Sequence, residues 1–110
     1  MALDAGILAS QMLGAALPIL KKNATDAESF ARTEFAKIAQ AIASIGEQVS
    51  AGQMNEQQAA FLLDMQKDAS KNVLLTVQGL ALLAVEAAIN AALDVVKTVV
   101  NTALGFALIV

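Results

Sequence analysis

Asp64 and Asp68 form an i,i+4 carboxylate pair. Residues at that spacing share one helix face, and two carboxylates have the oxygen chemistry to attract Mg²⁺ or Ca²⁺. A hard cation, however, needs six or more oxygens, delivered by a folded-back loop rich in Asp, Asn and Gly. The sequence offers no such loop. Acid–base work would require the two groups to face each other across a pocket, which one helix face does not provide.

The rest of the inventory is equally sparse in reactive groups. Histidine and cysteine are absent, which removes the usual general base, the commonest transition-metal ligand and every thiolate. The serines therefore lack an activating imidazole, and Lys21-Lys22 lacks an evident desolvated pocket. The glycines match no phosphate-binding loop. We expect no catalytic, cofactor-binding or metal-ligating residue, no small-molecule substrate, and no enzyme.

A different kind of polar chemistry stands out between residues 68 and 101. Counted at about 100° per residue from Asp68, Asn72, Thr76, Gly79, Glu86, Asn90, Asp94, Lys97 and Asn101 all fall within roughly 80°. Leu83 alone interrupts the arc, and Lys71, Gln78, Thr98 and Thr102 lie outside it. The other positions are almost entirely Leu, Val, Ile and Ala. The stripe Glu86, Asn90, Asp94, Lys97 and Asn101 could fix register through hydrogen bonds between helices or line an aqueous lumen. The plainer reading is a solvent face, with Asp94 and Lys97 as an i,i+3 pair.

The elements that carry these residues read as all-α. Residues 5–21 form a short apolar helix, with Asp4 placed to cap it and Lys21, Lys22 and Asn23 closing it. A helix over 26–50 opens on Thr25 and Glu28 at capping-box spacing. Ala31, Phe35, Ile38, Ile42, Ile45 and Val49 then recur at steps of 4, 3, 4, 3 and 4, the packing seam of a coiled-coil-like face. Arg32, Glu34, Lys37, Gln40, Ser44, Glu47 and Gln48 occupy its other faces. Ser50-Ala51-Gly52-Gln53 marks a turn, and Asn55 with Gln58 signals the next helix start.

From Glu56 onward no proline interrupts the chain, and the polar arc keeps its phase across Gly79. That continuity favours one long helix over 56–108, with a break in 70–79 as the alternative. The whole chain then forms a single all-helical domain, a hairpin or bundle with a short N-terminal helix, a heptad-patterned central helix and a long C-terminal helix. At 1.5 Å per residue the long helix would reach about 80 Å and its antiparallel partner only about 38 Å. The apolar residues beyond position 80 would overhang. Leaving them wet would forfeit on the order of 20 kcal/mol, more than the net stability of most domains. Met12, Met54 and Met65 read as core filler, and Phe30, Phe35 and Phe61 as core anchors around the hairpin turn.

Composition narrows the partners. The 110 residues are 57% hydrophobic and 15% charged, with a net charge of −3 and one arginine, so a nucleic acid would find no basic stripe. The sequence carries an acid at position 4 and its basic pair after the first apolar run, so we expect no signal peptide and a location in the cytoplasm or an assembled particle. Uncharged runs of fourteen residues between Lys71 and Glu86 and thirteen after Lys97 fall short of the roughly 20 of a single-pass span. We expect a homo-oligomeric structural subunit whose C-terminal helix is covered by other copies or by lipid. A membrane-active, pore-forming protein is the alternative, and a soluble four-helix interaction module is the third reading, conditional on the break.

Overall fold

The computed structural model describes residues 3–22, 24 and 26–110. Four helices follow in chain order: α1 (Ala5–Lys21), α2 (Ala27–Ser50), α3 (Glu56–Leu74) and α4 (Leu82–Leu104). They pack as a bundle measuring 42 × 21 × 20 Å. α1 lies broadly against α2 and α4, and α2 against α3, while α3 and α4 touch only narrowly. Around the bundle the order is thus α3, α2, α1, α4, with one loosely closed seam.

Local sequence explains three of the helix ends. Asp4 caps α1, its carboxylate accepting from the Ile7 amide at 3.0 Å. A reciprocal capping box opens α3: Gln58 N–H donates to Asn55 Oδ1 at 2.8 Å, and Asn55 N–H to Gln58 Oε1 at 3.0 Å. α4 ends at Gly105, whose φ of +82° is a left-handed conformation that costs glycine least. The capping box expected from Thr25 lies outside the described residues. Glu28 meets Lys21 at 3.0 Å and Arg32 at 2.9 Å.

The core follows the expected periodicities. Leu8, Met12, Ala16 and Leu20 recur every four residues along α1 and are buried. On α2, Ala31, Phe35, Ile38, Ile42 and Ile45 are buried and Val49 partly so. Glu34, expected on a solvent face, is buried as well, at 2% exposure, with Lys37 Nζ at 3.1 Å from its carboxylate. The angle explains it. Glu34 lies about 20° from Ile45 and about 40° from Ile38 around the helix, at the edge of the buried arc rather than on the solvent face.

The continuous helix over 56–108 is not what the chain forms. Helix α3 stops at Leu74 and α4 begins at Leu82. Turn bonds from Thr76 N–H to Val73 O (3.0 Å), Val77 N–H to Leu74 O (3.1 Å) and Leu80 N–H to Val77 O (3.2 Å) take over. Gly79 adopts φ +92°, and Val77 and Leu80 are buried as anchors of the turn. Magnitudes decide for the break. Interrupting a helix loses a few backbone hydrogen bonds at about 1 kcal/mol each, some recovered in the turn. Folding α4 back buries Val85, Ile89, Leu93, Val96 and Val100, at about 1.5–3 kcal/mol apiece. The shared phase across Gly79 belongs to two separate amphipathic helices, each with its own polar face.

The break also shrinks the overhang. Leu80, Val85, Ile89, Leu93, Val96, Val100, Leu108 and Ile109 are all buried by their own chain. Leu82, Leu83, Val95, Val99 and Val110 remain exposed. Among the described residues, no helix is long and apolar enough to cross a membrane.

Candidate functional site

The polar stripe divides between two roles. Glu86, Asn90, Asp94 and Lys97 are exposed on α4. Glu86 and Asn90 border a shallow groove shared with Lys67, Asp68 and Lys71 of α3, the loosely closed seam of the bundle. Lys67 and Lys71 pair within their own helix, with Asp64 at 3.9 Å and Asp68 at 3.8 Å. Asp94 and Lys97 do not close the ion pair expected of them. The carboxylates Asp64 and Asp68 are each engaged by a lysine, and among the described residues no group of three His, Cys, Asp or Glu converges as a metal site.

Asn101 stands apart from the other four. Its amide holds the segment that follows α4: Nδ2 donates to Ile109 O at 2.9 Å, and Oδ1 accepts from the Leu108 and Ile109 amides at 3.0 Å each. With Gly105 reversing the chain, this clamp presses Leu108 and Ile109 into the core. Asn101 therefore closes a turn within the chain. The residue is legible as polar and in phase, but its partners lie seven and eight positions downstream, beyond the reach of helical spacing.

The surface feature that residue type conceals is apolar. Phe61 and Met65, expected in the core, are 65% and 53% exposed on α3. Phe30, also read as a core anchor, is 44% exposed on α2. On α3 the buried residues are Ala59, Leu63, Ser70 and Leu74. Met65 lies about 180° from Leu74 around the helix, so the largest apolar side chains of α3 point away from the bundle. Leu62 and Met65, together with Ala41 and Ile45 of α2, line a shallow α2/α3 groove that contains no charged side chain.

A second apolar surface lies between α1 and α4. Ile7 is 59% exposed, Val95 51% and Val99 43%. They line a groove with Leu3, Gln11, Thr98 and Thr102, in which Asp4 is the one charged residue among those described. The sixteen residues between Asp4 and Lys21 carry no charge, so this side of α1 is uncharged along its length. Single exposed apolar residues are ordinary; here they cluster on two helix faces.

Electrostatics adds one perturbed group, away from both grooves. Hydrogen bonds from Lys21 and then Arg32 hold the Glu28 carboxyl below its ordinary value, tying the end of α1 to the start of α2.

No family model matches this chain, and neither the curated proteins nor the solved structures provide a match.

Proposed function

We propose that this chain is a non-enzymatic helical subunit that assembles with other copies of itself through its outward apolar faces. One observation carries the reading: Phe61 and Met65 on α3, and Ile7, Val95 and Val99 on α1 and α4, are large apolar side chains held exposed on regular helices. Burying the remaining half of five such residues contributes about 1 kcal/mol each. That is comparable with the lower estimates of what association costs in lost freedom, so contact becomes favourable once the rest of a face joins in.

Charge favours protein over lipid as the cover. Membrane-surface helices rely on Lys and Arg beside the apolar face. No basic side chain lines either apolar groove, and the chain is acidic overall.

A second reading, an interaction module for a different protein, is favoured by the break at 75–81. Because α4 folds back on α1, the chain satisfies most of its own apolar surface, and association is not compelled by the fold. Size-exclusion chromatography with light scattering in plain buffer, beside the same protein in mild detergent, separates the readings. Oligomers in buffer that detergent dissociates support self-assembly. A monomer in both, with no dye release from liposomes, contradicts it and leaves the module.

A further inference from the structure

We infer that copies associate head to tail, the Phe61–Met65 ridge of one seating in the α1/α4 groove of the next, so that assembly grows as an open lateral stack. This inference rests on the self-assembly proposed above and adds the geometry of the contact.

Placement is the first support. Since α1 packs on α2 and α4, and α2 on α3, the α1/α4 groove and the α2/α3 side lie on opposite faces of the bundle. They also lie at the same end. Leu3, Gly46 and Leu104 meet at that end, and both Ile7 and the ridge on α3 sit a short way along from it. A translation across the bundle by about its own width, 20–21 Å, therefore sets one patch against the other. An interface between two different patches does not close on itself unless a rotation brings it round, and open growth follows.

Shape, composition and area agree. The ridge projects from α3, and the groove is a concavity between two helices. Interface cores are enriched in Phe and Met, which the ridge supplies, and the groove that would receive them is lined mainly by Leu3, Ile7, Leu8, Val95 and Val99. A standard stable interface takes about 800 Å² from each partner, and one long side of a 42 × 21 × 20 Å body is of that size. The uncharged length of α1 supplies the remainder of that side. A patch-to-itself dimer would bring two ridges or two grooves together, leaving the complementary surface of each copy exposed.

Complementation of single-sided variants tests the contact. Ile7→Glu blocks the groove and places an acid in the first turn of α1, where helices tolerate it. Phe61→Glu blocks the ridge at an exposed position. Circular dichroism checks that each variant is folded, with Val99→Glu and Met65→Glu as replacements for one that is not. Each variant alone is expected to lose association by at least about tenfold. An equimolar mixture is expected to form a species of twice the 11.3 kDa protomer mass and nothing larger, because one intact ridge meets one intact groove. A variant that still dimerises alone, or a mixture that stays monomeric while the wild type assembles, overturns the head-to-tail contact. A monomeric wild type overturns the self-assembly reading itself.

Discussion

Helices α2 and α3 lie side by side, yet α2 buries most of its large apolar residues while α3 shows its Phe and Met to water. α2 directs Phe35, Ile38, Ile42 and Ile45 inward. α3 packs with Ala59, Leu63, Ser70 and Leu74 and presents Phe61 and Met65 to water. The overall apolar content of a helix does not reveal which of these it does. The angle between its apolar residues and its neighbours does. Although Leu63 and Leu74 turn inward, the Phe and Met of α3 are left uncovered by its own bundle.

That contrast can be broken most forcefully on the α2 side. Phe35 is fully buried, and Phe35→Ala should cost about 3–5 kcal/mol of stability through lost transfer energy and a residual cavity, measured by urea unfolding. A loss below about 1 kcal/mol would mean that the α2 core is not packed as described. Next in size, Asn101→Ala removes three hydrogen bonds to the segment after α4. We expect a loss of about 1–3 kcal/mol, with hydrogen exchange at Leu108 and Ile109 rising first. Unchanged protection there would contradict the clamp.

On the α3 side the same kind of truncation should be nearly silent in the isolated chain. Phe61→Ala is expected within about 0.5 kcal/mol of the parent under conditions that keep it monomeric. A loss approaching that of Phe35→Ala would erase the distinction between the helices. The smallest effect concerns acid. Glu28 has a folded pKa below its unfolded one, so its contribution to stability is complete above the unfolded pKa and vanishes as pH falls through the folded one. Glu28→Gln should be slightly less stable than the parent at neutral pH, and the difference should disappear in acid. A difference that persists in acid would assign its cause to something other than the charge.

Much of this architecture is legible in the sequence, for identifiable reasons. The α2 seam is visible because apolar residues recur at steps of 4 and 3, and the capping box at Asn55–Gln58 because its chemistry is local. The break at 75–81 is legible only as the alternative in 70–79, second to a continuous helix, because no proline marks it. Gly79 acts through a positive φ, and the decisive term is the burial of α4 against α1, a contact between residues far apart in sequence. Phase continuity misleads because two helices with polar faces can share a phase by count alone. Glu34 and Asn101 fail in a related way: residue type suggests water, whereas position places one in the core and joins the other to a distant backbone. The apolar ridge, read as core from composition, requires the direction of α3 to be known.

If the exposed apolar faces of this folded bundle bind one another, association must follow concentration. Sedimentation velocity of the wild-type protein in plain buffer, over roughly a hundredfold range of concentration, tests this most directly. The weight-average mass should climb steadily from 11.3 kDa without a plateau, and Phe61→Glu should hold it near that value. A wild-type mass that stays at the protomer value across the whole range would contradict self-assembly.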